Sequence, residues 1–438
     1  SLMIFAFELL VEAFLIYKVW TERDRTRLFL WFMSAMILLH PMLKLMPGIP
    51  SVNWMFPVVC LARVIKERRL GVSWRSFPLK HIYGAILIFH FLQPLFSRWQ
   101  GIGMTYFYVV QYVMITYLYV FLGYCMAPDY KKLMESRRWV CACLVIIFGI
   151  AVVCEALTYN IIASNITDST IWTTERADTE RGFRVTSTQG SPNIFGYVNV
   201  LLAILILNIK DKTGRKYLMF AMILVDIVLC GTRAPIFGLA SSVCIYALFA
   251  SKGKLVRAGL FGLLTIVVAV NFIDSKSPAM KLVNGVVDIF TTGGENTGGS
   301  SVDLRERQFA VAMILALDNP IWGSGQGFCS AMQNEESSMH IYYDQDLYGA
   351  ESVIFYMFID YGFVYTGLII IYYLSYILFF MKNLRGNKDI LMLAIPALVA
   401  LLTHLLTSRP DNSWQIFMPL MGACMYMLQS RKALRTYA

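Results

Sequence analysis

Arg176, Arg181, Arg184, Arg233, Arg305, Arg307 and Arg409 stand apart from the clustered basic residues of this chain, each in or beside a connection that is otherwise poor in lysine. Arginine presents a planar, permanently charged fork that makes paired hydrogen bonds to phosphate and carboxylate oxygens. At a helix start it adds to a dipole that already favours an anion. Arg305 and Arg307 open a predicted helix, and Arg184 sits in an earlier polar loop. Together they point to the binding of an anionic, phosphorylated group beside a bilayer. Arg176 and Arg181 have Asp178 and Glu180 as neighbours and read more simply as ion pairs. Glu351 stands where the chain returns from its longest polar stretch to an apolar one. A carboxylate at the mouth of an apolar span is costly to bury and is read as functional by default. Partly desolvated, it can accept a proton as a general base. Asp344 and Asp346 are nearby rivals. Their D-x-D spacing is a weak metal signal without a second acidic cluster, and no metal or cofactor is expected.

The elements that must hold these residues are membrane helices. The chain of 438 residues is 57% hydrophobic and only 15% charged, against about 25% charged in soluble domains. About thirteen apolar runs approach the length needed to span a bilayer: 2–20, 28–46, 50–64, 81–97, 103–126, 139–158, 192–209, 217–231, 235–250, 258–273, 351–380, 389–407 and 414–429. The net charge of +10 is concentrated in every second connection. That is the positive-inside pattern and not a nucleic-acid-binding face. It predicts a cytoplasmic C-terminus and an opposite face carrying two long loops, 159–191 and 274–350. The expected fold is all-α and polytopic. Residues 1–158 form a first helical bundle, 192–273 a central set and 351–438 a final set. The nine cysteines include no C-x-x-C pair, so neither a disulfide framework nor a zinc site is indicated. The opening SLMIFAFELL lacks the basic start of a cleaved signal.

Within the second loop, TTGGENTGGSS reads as a flexible linker. Asp303 and Glu306 then form a capping-box pattern. Phe309, Ala312, Met313, Ala316 and Leu317 make an apolar stripe at helical spacing, and Asn319-Pro320 ends the helix. The expectation is a helix lying along the membrane surface. Glu8, Glu12, Glu155 and Asp226 sit in apolar segments, where a helix–helix hydrogen bond is the simplest role. His404 reads as a core histidine near the end of a span, and His340 as a loop histidine. P-loop, GxGxxG and HExxH patterns are absent from the sequence.

Four stretches resemble the O-antigen polymerase and ligase superfamily. ERGFRVTSTQGSPNIFGYVNV resembles its outer loop and following span, through Arg184, Pro192 and Asn193. GTRAPIFGLASSV resembles its Ser-Arg-Gly span start, with Thr232, Arg233 and Ala234 in those places. DLRERQFAVAMILALDNPIWGSGQGF resembles its Arg-led helix and Pro-x-x-Gly-x-Gly turn, here Arg305 through Pro320, Gly323 and Gly325. AESVIFYMFIDYGFVYTGL resembles the segment that returns to the membrane. The likeness covers about 160–380.

The resemblance implies a GT-C type glycosyltransferase of the inner membrane, with its site on the periplasmic side. It acts on undecaprenyl-diphosphate-linked glycans as donor and acceptor. It also implies a chain-length regulator and a flippase as partners. Arg184 and Arg305 become diphosphate contacts with a catalytic role, joined by Arg307, Arg233 and Arg409, and Glu351 becomes the base. Ligases tend to carry His-Asn or His-Ser where this chain has Glu351-Ser352, which favours the polymerase branch. The alternatives are a ligase moving finished glycan to an acceptor, and a lipid-linked oligosaccharide flippase. A flippase should line a central path with charge, whereas the arginines here gather on one face.

Overall fold

The computed structural model describes residues 2–42, 55–157, 185–189, 191–209, 214–249, 302–334, 337–344, 347, 352–384, 386–408 and 415–436. Regular structure among them is helical throughout. In chain order the helices are α1 (Leu2–Thr21), α2 (Arg25–Met42), α3 (Met55–Lys66), α4 (Leu70–Ser76), α5 (Lys80–Phe96), α6 (Ile102–Ile115), α7 (Tyr117–Cys125) and α8 (Tyr130–Leu157). They continue as α9 (Pro192–Leu207), α10 (Arg215–Leu229), α11 (Arg233–Phe249), α12 (Val302–Asp318), α13 (Phe328–Met332), α14 (Val353–Lys382), α15 (Lys388–Thr407) and α16 (Phe417–Thr436).

Apolar runs of this length become helices because a helix satisfies its own backbone in a medium without water. Among the described residues, four stretches are long and apolar enough to cross a membrane: Ile102–Cys125, Tyr130–Val153, Val353–Lys382 and Lys388–Thr407. Two shorter apolar helices, Pro192–Leu207 and Ala234–Phe249, accompany them. The protein is an integral membrane protein. Of the run read as a span at 50–64, residues 55–64 lie in α3 and the rest is outside the described residues, the run at 103–126 is divided at Thr116 into α6 and α7, and the run at 258–273 lies outside the described residues.

Burial divides the helices. Every residue of α7 except Leu118 is buried, as are most of α9 and α16. A helix apolar all round belongs in the interior, and these three form the centre. There α7 and α16 cross closely, with Gly422 against the Val120 backbone and Gly123 against Pro419. Small residues permit such approach where no water drives helices together. Pro396 interrupts α15 and leaves the carbonyl four residues earlier without its helical donor. The Asn208 side chain donates to that Met392 carbonyl at 3.1 Å, and Ser242 donates to the Pro396 carbonyl at 2.9 Å.

The basic connections gather at one end of the bundle. Arg63 donates to the Val19 and Glu22 carbonyls, and Arg25 bonds Tyr426 Oη at 3.1 Å. Arg137 bonds the Asn208 carbonyl at 2.6 Å, and Arg431 forks onto Asp389 at 2.8 and 2.7 Å. Each of these links joins helix ends far apart in sequence, and they define the basic end of the molecule.

Candidate functional site

At the opposite end α14 is broken. Gly362 has φ 75° and ψ −171°, outside any helix. The Pro-x-x-Gly-x-Gly turn fills the break. Phe363 N–H donates to the Pro320 carbonyl at 2.8 Å, Ser324 N–H to Ile359 at 2.8 Å, and Gly325 N–H to Asp360 at 3.0 Å. A Cβ on Gly362 would stand 2.7 Å from the Pro320 oxygen, and one on Gly323 would stand 2.5 Å from Asp360 C. Both positions also need a positive φ, so glycine is required twice over. The motif spacing is therefore a backbone-to-backbone fit and not a loose surface turn.

Helix α5 closes the same joint. Gln93 donates its amide to the Trp322 carbonyl at 2.7 Å and the Asp360 carbonyl at 2.6 Å. Ser97 donates to the Gly323 carbonyl and accepts from Asn319 Nδ2 at 3.2 Å. Trp322 stacks between Phe89 and Phe96, at 5.1 and 4.4 Å between ring centres. One turn deeper, the buried His90 ring shares a hydrogen bond with Tyr365 Oη at 3.0 Å.

Asp360, 6% exposed, builds the polar loop outward from this joint. Its Oδ2 accepts from Gly327 N–H at 2.9 Å and its Oδ1 from Cys329 N–H at 2.7 Å. Those bonds set the start of α13. Farther along, Tyr356 Oη donates to Gln333 Oε1 at 3.1 Å. His340 Nδ1 donates to the Met332 carbonyl at 3.0 Å and its ring stacks on Tyr343. Burial, reinforced by the Asp360 charge, pushes the Cys329 thiol well above its ordinary range. It therefore stays protonated and cannot serve as a nucleophile at neutral pH.

Helix α12 runs parallel to the first part of α14. Phe309 lies 6.1 and 6.3 Å from the Phe355 and Phe358 rings near its start, and the turn after Asp318 meets Gly362 nine residues farther on than Val353. The start of α12 therefore lies beside the start of α14. The helix begins at Val302, one residue before the expected cap at Asp303. Its buried stripe is Gln308, Ala312 and Ala316, while Phe309, Ile314 and Leu317 are exposed. Ala312 and Ala316 are the part of the expected stripe that is buried, and as small residues they let α14 approach. The helix packs along α14.

Several other helix ends meet at this end of the bundle. Val185 N–H donates to the Leu229 carbonyl at 3.0 Å, next to the turn into α11. Gly196 on α9 faces Pro235 on α11, with Cys230 Sγ 3.1 Å from where its Cβ would be. Tyr197 packs edge-on to His404 at 4.5 Å, and its hydroxyl lies 3.5 Å from Thr407 Oγ1. Ser352, just before α14, donates to the Leu405 carbonyl at 3.4 Å.

The expected site residues distribute as follows. Arg184, Glu351 and Arg409 lie outside the described residues, as do Arg176, Arg181 and Asp346. Their chain neighbours Val185, Ser352 and Ser408 are buried at this end. Arg233 is the first residue of α11 and Arg305 lies in the first turn of α12. Arg307 is exposed on α12. His404 is fully buried against Tyr197, in agreement with a core histidine. Asp226 is buried and its Oδ2 has no hydrogen-bond partner. Asp360, Gln93 and Ser97 were not picked out from sequence. The rule that selected Glu351, an ionisable group in an apolar run, also selects Asp360. The spacing of Gln93 and Ser97, four apart on one helix face, is the corresponding signal in α5.

The family model described as O-antigen ligase matches residues 217–372, from α10 through the turn and the broken part of α14. No curated protein matches the chain. The matched stretch contains the Arg233 helix start, the Arg305 helix, the glycine turn and its receptor at Gly362, and over it the chain is similar to the O-antigen ligase family.

Proposed function

We propose that this protein is a bacterial inner-membrane glycosyltransferase that polymerises undecaprenyl-diphosphate-linked repeat units into O-antigen or a related surface polysaccharide. The family match over 217–372 supports a glycan-processing membrane enzyme acting on lipid-linked glycans. The observation that carries the finer reading is the convergence at one end of the bundle. There Val185 meets the end of α10, α9 meets the first turn of α11, Ser352 before α14 meets the last part of α15, and α12 packs on α14. Arg184, Arg233, Arg305, Glu351 and Arg409 are those residues or lie within a few positions of them.

In this reading the terminal hydroxyl of one repeat unit attacks the anomeric carbon of a second. Glu351 accepts the hydroxyl proton as the new glycosidic bond forms. The bond to the diphosphate breaks and its electron pair leaves with the lipid diphosphate. Arg184 and Arg305, joined by Arg307, Arg233 and Arg409, take up the charge that grows on that leaving group. Loss of one such preorganised donor costs about 2.7–4 kcal/mol in barrier. The diphosphate is already a good leaving group, so the reaction is proposed to be metal-independent and of the GT-C type. Glu351-Ser352 in place of a histidine pair favours polymerase over ligase.

The test is reconstitution in nanodiscs with lipid-diphosphate-linked repeat units and no added metal. Wild type should give a ladder of products. Glu351→Gln and Arg305→Ala, checked for folding by size-exclusion chromatography, should give none. A single transfer to a foreign acceptor would assign a ligase. Lipid-linked glycan crossing a proteoliposome bilayer without product would refute the enzyme.

A further inference from the structure

The basic end holds a cluster that this chemistry does not use. Arg25 opens α2 and bonds Tyr426 Oη at 3.1 Å and the Cys125 carbonyl at 3.4 Å, with its guanidinium 5.0 Å from the Tyr426 ring centre. Arg69 lies in the tight connection between α3 and α4, after Arg68 at a positive φ of 55°. The helix it precedes, α4, is tied at Ser76 to the same two helices that Arg25 bonds: Tyr124 Oη of α7 and Gln429 Nε2 of α16 each donate to the Ser76 carbonyl at 3.0 Å. Glu67 is the carboxylate of this cluster, and Arg63 and Arg69 share it, at 3.1 and 3.2 Å. Two guanidinium groups therefore share one carboxylate, and Arg25 has a hydroxyl and a carbonyl as its partners. Arg25 Nε and Arg69 Nη1 are buried and have no hydrogen-bond partner.

Like charges gathered where water is scarce repel, and donors left without acceptors add a desolvation cost. An anion with several oxygens removes both penalties. Access is available, because the Arg69 side chain is 35% exposed. Beside it α4 presents Leu70 and Trp74, each 38% exposed. Tryptophan favours the boundary between headgroups and hydrocarbon, and basic pockets between membrane helices suit anionic headgroups. The neighbouring surface is thus apolar and at headgroup depth, which fits a lipid better than a free anion. We propose that Arg25 and Arg69 form a binding site for the phosphate of an anionic phospholipid at the basic end of the bundle, with its acyl chain lying over Leu70 and Trp74.

The test uses the full chain purified in detergent and exchanged with dioleoyl phosphatidylglycerol or dioleoyl phosphatidylcholine. Retained lipid is counted by native mass spectrometry. Wild type should hold phosphatidylglycerol in preference to phosphatidylcholine. Arg69→Gln should lower that retention about fivefold, and Arg25→Gln with Arg69→Gln further. Arg69→Lys, which keeps the charge but not the fork, should recover part of it. Lys131→Gln removes an exposed charge at the same end and should change nothing. Size-exclusion chromatography and helicity confirm folding, and Arg69→Gln serves alone if the double variant fails. Equal retention in wild type and Arg69→Gln overturns the site, as does an equal loss in Lys131→Gln, which would mean diffuse attraction. Inorganic phosphate alone provides the second arm. If it raises the melting temperature in wild type but not in Arg69→Gln, and lipid adds nothing, the site stands with free phosphate as its occupant.

Discussion

The two ends of the bundle are held together by different physics. At the basic end, side chains do the joining: Arg63, Arg25, Arg137 and Arg431 reach across to carbonyls, a hydroxyl and a carboxylate. At the other end, backbone meets backbone. The turn at 320–325 sits in the break of α14 through three main-chain bonds and two glycines, with Gln93 and Ser97 as bolts. Long charged side chains tolerate small displacements, whereas a backbone fit does not. The rigid joint lies at the end where α11 begins and α14 meets α15, and the adaptable one lies where the chain needs only to be tied.

That contrast can be broken most forcefully at Gly362. Gly362→Ala meets both the positive φ and the Pro320 oxygen, and should cost about 2–4 kcal/mol together with product formation. Monodispersity in detergent and the polymer ladder measure this, and a folded, active variant would refute the joint. Next comes Gln93→Leu, which leaves two buried carbonyls without their donor at about 1–3 kcal/mol each at most, read as a lower melting temperature. Asp360→Asn places an amide NH2 against a backbone N–H. It should loosen 327–334 and increase proteolysis there, with a stability loss of about 1–3 kcal/mol.

At the basic end effects should be smaller and sensitive to salt. Arg431→Met breaks a pair whose partners are 29% and 43% exposed, so about 0.5 kcal/mol is expected, vanishing in high salt. The smallest effect concerns Asp24. Backbone N–H groups of Arg27 and Thr26, at 2.9 and 3.0 Å, and the Lys132 charge hold its carboxyl below the usual 3.8. A lowered folded-state value contributes stability above the unfolded value, and that contribution is lost as pH falls through the folded one. Asp24→Ala should therefore matter at neutral pH and become neutral in acid below that range, as followed by melting curves.

Legibility followed the same division. The helical class, the long apolar stretches and the helix ending before Asn319-Pro320 were readable, because apolar length and proline act locally. The placement of α12 was not. The stripe named Ala312 and Ala316 together with Phe309 and Leu317, but that the alanines are buried and the large residues exposed depends on how closely α14 comes, and closeness is a property of the pair. Asp360 and Gln93 were hidden for a related reason. Their partners are main-chain groups of a turn, and no residue type marks a carbonyl as waiting for a donor. Glu351, Arg184 and Arg409 rest on sequence and resemblance, with Val185, Ser352 and Ser408 as their nearest described neighbours.

The joint at Gly362 also orders events during synthesis. Gln93 is separated from its two acceptors by 229 and 267 residues. At about 5–20 residues per second this is a delay of roughly 10–50 s. Throughout that interval the Gln93 amide has neither of these acceptors. A buried amide without acceptors is costly, so the joint can close only after residue 360 has been made, late in the synthesis of the chain.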